Sequence, residues 1–191
     1  MADTEFKPTP SQTVGPFFHF ALPYHGGETL TNEATLGARI IVEGRVTDGA
    51  GEAVTDALIE IWQANSQGRY DHPDDTQERQ LDPNFTGFGR AQTDEDGRFR
   101  FYTIKPGPVP GPSGTSQAPH INVSVLGRGI LKRMATRLYF SGEAANADDP
   151  ILALVPPERR GTLIAEWIGD GAAYRFDIRL QGENETVFFD I

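Results

Sequence analysis

The chain is 191 residues long and 38% hydrophobic, with twelve Phe, five Tyr and two Trp. That is enough apolar surface for one domain with a real core, or a domain with a long arm, and it excludes general disorder. A count of 27 acidic against 17 basic residues, net -10 with no dense basic patch, excludes the footprint a nucleic-acid binder lays over phosphates, although one well-placed arginine can still hold a small carboxylate.

Cysteine is absent, so there is no disulfide, thiolate metal site or cysteine nucleophile, and any metal would be held by nitrogen and oxygen. The opening stretch MADTEFKPTPSQTVGP lacks a basic leader and an apolar run, and no segment reaches the length of a membrane span. The expectation is a soluble, cytoplasmic protein without nucleic-acid or membrane partners.

In chain order, Pro8, Pro10, Pro16 and Pro23 argue against a regular helix or central strand, yet Phe17, Phe18, Phe20 and Tyr24 are too apolar for a free tail. Residues 1–37 read as an extended arm with a short helical or irregular lead-in around 31–36, laid against its own domain or a partner. Residues 38–191 read as β. ARIIVEGRVTD is a strand that ends near a DGAG turn, and VTDALIEIWQA follows with Ala57, Ile59 and Ile61 on one face. TDEDGRFRFYTIKPG is a turn into a strand in which Phe99, Phe101 and Thr103 share a face. PHINVSVLG and TRLYF are further strands. AYRFDIRLQG carries the cleanest alternation, with Tyr174, Phe176, Ile178 and Leu180 against Arg175, Asp177, Arg179 and Gln181. Roughly eight short strands without helical crossovers predict an all-β fold, an antiparallel sandwich. Two long ordered loops, 64–91 and 105–119, interrupt it and are candidates for function or interfaces.

Chemistry is sparse on this frame. His19, His25, His72 and His120 form no HExxH and no close pair, so each alone reads as structural or surface. His120 stands out because it begins a strand after a Pro/Gly-rich loop, but one imidazole does not hold a catalytic metal. Tyr70 is able to bind ferric iron as a phenolate, whereas an isolated loop tyrosine is ordinarily packing. The acidic YDHPDD stretch lacks calcium-loop spacing and reads as a solvated turn. No GxGxxG, phosphate loop or GxSxG elbow occurs, and Glu60 and Asp56 lack an acid partner for paired-carboxylate hydrolysis.

The stretches IEIWQANSQGRY, LDPNFTGFGRAQTDEDG, TIKPGPVPG, APHINVSVLGRG, TRLYF and AYRFDIRLQGENETVFFD resemble the intradiol ring-cleavage dioxygenases. Within them, these stretches and the arm TPSQTVGPFFHF are most similar to the alpha-type subunits of the two-chain enzymes that cleave protocatechuate. The resemblance runs over nearly the whole chain. It implies a non-haem ferric ion held in the family by two tyrosines and two histidines. The positions here are Tyr70, Val109, His120 and Asn122, so two ligands are missing, and Gln117 stands where the family has a substrate-binding arginine. The resemblance therefore implies no metal and no catalytic residue in this chain, with Fe(III) in a beta-type partner and a higher alpha–beta oligomer. It also implies that the arm packs on that partner. Thr13, Gly15, Pro16, Phe17 and Arg128 would line the interface pocket in which protocatechuate (3,4-dihydroxybenzoate) and O2 become 3-carboxy-cis,cis-muconate. Two other readings compete: a self-sufficient iron site completed by His72 or Asp71, and a transthyretin-like binding or scaffold module.

Overall fold

A computed structural model of the protein describes residues 9–15, 17–169 and 172–190, with the side chains of His19 and Phe20 outside the description. The long strands are β1 (Arg39–Thr47), β2 (Leu58–Trp62), β3 (Phe88–Gln92), β4 (Arg98–Ile104), β7 (His120–Leu126) and β8 (Met134–Phe140). Between them and after them come β5 (Val109–Pro110), β6 (Ser116–Gln117), β9 (Ile164–Trp167), β10 (Ala173–Arg175) and β11 (Ile178–Arg179). Alternation explains the strands: β4 buries Phe99, Phe101 and Thr103 and exposes Arg98, Arg100 and Tyr102.

The strands hydrogen-bond along the path β11-β1-β10-β9-β8-β7-β2-β3, with β4 added on β1. Both limbs of the path feed one buried cluster: Val42, Phe101 and Phe176 from one limb meet Ile59, Ile121, Val123 and Phe140 from the other. The fold is sheet-dominated, as expected. Its pairing is mixed, not purely antiparallel, because β10 and β11 run parallel to β1 and β9 runs parallel to β8. A parallel neighbour needs a crossover. The one from β8 to β9 is built from 3-10 turns at Ala144–Asp148, Leu152–Leu154 and Pro157–Leu163, which carry no long apolar stripe to announce them.

Three local expectations change. The loop expected over 64–91 ends in β3, and 105–119 contains the β5–β6 pair, with Val109 opposite Gln117. The alternation from Tyr174 to Ile178 holds, but the strand is interrupted at Phe176 and Asp177. There the Asp177 carboxylate accepts the Arg45 N–H at 2.9 Å. A Cβ at Gly44 would lie 1.9 Å from the Phe176 carbonyl oxygen, so only glycine allows this approach.

The arm contains a single helical turn, α1 (Phe18–Ala21), despite its prolines. Residues 31–36 form a turn in which Asn32 Oδ1 accepts the Ala34 N–H at 2.9 Å. Residues 27–30 are stitched to β3 and β4: Arg90 N–H donates to Gly27 O, Tyr102 N–H to Glu28 O and Leu30 N–H to Tyr102 O, all within 2.9 Å. Leu30 enters the core. Among the described residues no helix is long and apolar enough to cross a membrane.

Candidate functional site

The loops after β2 and β4 are clamped backbone to backbone. A Cβ on Gly68 would lie 2.0 Å from Pro108 O, and one on Gly107 would lie 2.6 Å from both Gly68 N and Ser66 O. Gly68 also has φ +79, a conformation open to glycine at little cost. Arg79 Nη1 donates to Gln67 O and to Pro108 O, tying the two loops together. This clamp fixes Tyr70, two residues after Gly68, relative to Val109, two residues after Gly107.

Tyr70 lies over β7. Its ring stacks on Trp62 at 5.6 Å and 22°. Its hydroxyl accepts from Asn122 Nδ2 at 3.2 Å and lies 3.5 Å from His120 Nε2. His120 is buried, and its Nδ1 lies 2.8 Å from the Ala118 carbonyl, which only accepts. Nδ1 therefore carries the proton, Nε2 presents its lone pair to Tyr70, and the bonds run Asn122 to Tyr70 to His120 to Ala118. Burial, reinforced by the Arg137 charge, pushes the His120 imidazole down to about 4. Burial pushes the Tyr70 phenol up, against the Asn122 hydrogen bond and Arg137. At neutral pH the network is a neutral phenol donating to a neutral imidazole.

Arg137 and Asp149 complete the surroundings and were not singled out from the sequence. Arg137 faces Asn122 across β7–β8, and its Nη1 donates to Gln117 Oε1 at 2.7 Å. A guanidinium from β8 thus lies against Gln117. Asp149 is fully buried and accepts from Ala118 N–H, Tyr139 Oη, Ile151 N–H and Leu152 N–H, which fixes the turn beneath His120. Pairing TRLYF in register against PHINVSVLG would have placed Arg137 opposite Asn122. For Asp149, within ADDP, no sequence signal distinguishes it from Asp148.

These residues do not fit a ferric ion. Tyr70 and His120 are donors of the right kind, but Val109 is a buried hydrocarbon and the Asn122 amide donates to Tyr70. Loop residues do not complete the set: among the described residues no three His, Asp or Glu side chains gather where they could hold a metal. His72 and Asp71 lie in the acidic turn, where His72 Nδ1 accepts the Asp74 N–H at 3.2 Å. Asp75 of the same acidic turn accepts the Tyr70 N–H at 2.8 Å, a loop-fixing contact.

The other candidate residues gather beyond the far end of β7. Thr13 Oγ1 accepts the Gly129 N–H at 2.9 Å and donates to Gly127 O at 3.4 Å, so the arm is anchored on the turn that carries Arg128. Arg128 Nε donates to Asp56, while its two Nη groups have no partner among the described residues. The Gly15 carbonyl accepts the Phe18 N–H, Phe17 is 75% exposed, and Pro16 lies outside the described residues. At about 3.3 Å per residue, the ends of β7 are roughly 20 Å apart, so this cluster and the Tyr70–His120 network are separate places.

The family model described as dioxygenase matches residues 14–182. The chain belongs to the dioxygenase family. It is 44% identical to the protocatechuate 3,4-dioxygenase alpha chain of Burkholderia cepacia over 98% of this chain and 100% of that one. It is 43% identical to the beta chain from the same organism, over 81% of this chain and 69% of that one. The dioxygenase domain of a dioxygenase carbohydrate-binding protein fusion from Streptomyces sp. SirexAA-E superposes with a TM-score of 0.64 at 31% identity, covering 92% of this chain and 99% of that one. Identity hardly separates alpha from beta. What separates the two comparisons is coverage: the chain spans the whole alpha chain but 69% of the beta chain.

Proposed function

We propose that this chain is the alpha-type subunit of a protocatechuate 3,4-dioxygenase, working in the cytoplasm in a higher alpha–beta oligomer with a beta-type subunit that holds Fe(III). The observation that carries the reading is a retained frame with an incomplete donor set: Tyr70 and His120 are clamped in place, while Val109 offers no donor and Asn122 is committed to Tyr70. The reaction of the assembly is insertion of O2 between the hydroxylated carbons of 3,4-dihydroxybenzoate, giving 3-carboxy-cis,cis-muconate, and its metal chemistry belongs to the partner.

This chain contributes walls and charge at the interface. Of residues 1–37, the part that precedes the segment 27–30 held on β3 and β4 acts as an arm on the partner, and 38–191 act as the family domain. Thr13, anchored on the 127–129 turn, sets where Gly15, Pro16 and Phe17 leave the domain. Arg128 is held at its root by Asp56, and its unpartnered Nη edge suits the carboxylate of protocatechuate.

The test is ring cleavage with purified components. The expected result is no activity from the chain alone and activity from the assembly. Arg128→Ala in the assembly raises KM for protocatechuate by about tenfold, the loss of a charge-assisted pair, without changing subunit stoichiometry. Cleavage by the chain alone contradicts the subunit reading, and unchanged kinetics returns Arg128 to a purely structural pair with Asp56.

A further inference from the structure

Asn122, the outermost member of the Tyr70–His120–Asn122 network, also lines a cavity of about 610 Å³, in the size range of small-molecule sites. One wall is aromatic and aliphatic: Trp62, Phe88 and Phe189, with Ile151 and Leu154. The polar side holds Asn122, Arg137 and Arg133.

Two carboxylates also line the cavity, and both are committed elsewhere. Glu60 pairs with Arg90, and Asp190 with Lys132. Among the described residues Arg137 meets neutral groups, Gln117 Oε1 and the Tyr139 phenol, and Arg133 has no side-chain partner. In a chain of net charge -10, the charges left uncompensated in this apolar cavity are thus both cationic. An anion is the natural counter-group, and the ring-lined wall selects a flat apolar body over a small inorganic ion.

We propose that this cavity binds a small aromatic carboxylate without transforming it, the carboxylate on Arg137 and Arg133 and the ring against Trp62, Phe88 and Phe189. The proposal goes beyond the subunit reading and does not depend on it, because binding here involves neither iron nor ring cleavage.

Trp62 is a built-in reporter, since the only other tryptophan, Trp167, lies on β9 outside the cavity. The full chain carrying Trp167→Phe is titrated with benzoate, following Trp62 emission and, in parallel, heat. Benzamide (the ring without charge) and acetate (the charge without ring) are the comparisons. The expected result is saturable binding of benzoate that moves Trp62 emission, with both comparison compounds at least about tenfold weaker. Arg137→Gln weakens benzoate by about tenfold or more for the same reason. Arg133→Gln, at an exposed and unpartnered side chain, repeats the weakening without touching the Gln117 contact. Absence of saturable benzoate binding, or binding that survives both substitutions, overturns the proposal.

Discussion

At the His120 end of β7 the polar groups answer one another inside the chain: Asn122 donates to Tyr70, Tyr70 faces His120, and Asp149 fixes the turn beneath. At the Arg128 end an exposed turn holds the arm through Thr13 and leaves one edge of a guanidinium open. One strand therefore joins a region built inward and a region built outward. The difference teaches that the frame around Tyr70 and His120 stands on folding contacts of its own, because the glycine clamp and the buried turn hold it whether or not a metal is bound.

The strongest way to break the inward region is at its clamp. Gly68→Val would place a Cβ 2.0 Å from Pro108 O at φ +79. We expect a loss on the order of 4 kcal/mol in urea unfolding, at the diagnostic end of single-site effects. A loss below ~1 kcal/mol would show that the loops part without cost.

Acid titration is the next largest effect. The His120 value lies near 4 against an ordinary 6.5, so as pH falls the unfolded chain takes up this proton first. The stability attached to neutral His120 is complete above pH 6.5, declines down to 4 and is flat below. The loss is roughly 3 kcal/mol. Glu143, held low by its hydrogen bond from Lys105, and Asp75, Asp82 and Asp94, held low by backbone hydrogen bonds, add losses of the same sign mainly below 4.5. That leaves the stretch from 6.5 to 4.5 to His120. His120→Gln should flatten the slope between these limits; an unchanged slope would place the titration elsewhere.

Smaller again is Tyr70→Phe, which strips the central hydroxyl from the network while Asn122 keeps its contact to Trp62 O. About 1–2 kcal/mol should be lost in the same unfolding assay, and no loss would mean the hydroxyl is not exchanged for a poorer partner on folding. At the outward region Asp56→Ala removes the partner of a largely exposed arginine and should cost less than about 1 kcal/mol. A cost comparable to that of Tyr70→Phe would erase the contrast between the two ends.

Much of this was legible in the chain. Phe99, Phe101 and Thr103 in β4 alternate cleanly because one face meets the core and the other water, and that pattern survives in sequence. β9 was not legible, since four residues give too little alternation, and its parallel place beside β8 depends on a crossover of 3-10 turns. The interruption at Phe176 depends on Gly44, 132 residues away, as the Asp177–Arg45 contact records. At the site, Tyr70, Val109, His120 and Asn122 were named through the family resemblance, each in its own motif, and the structure joins Tyr70, His120 and Asn122 by hydrogen bonds while Val109 pairs with Gln117. Arg137 and Asp149 reach the network only through strand register and a buried turn, which no local motif encodes.

Iron content per chain, measured by elemental analysis on the protein expressed alone and together with a beta-type subunit, tests the central claim most directly. The account predicts iron only in the mixed assembly, and none retained alone even by Asn122→His, because Val109 still supplies no donor. Stoichiometric, tightly held ferric iron in the isolated wild-type chain would contradict it.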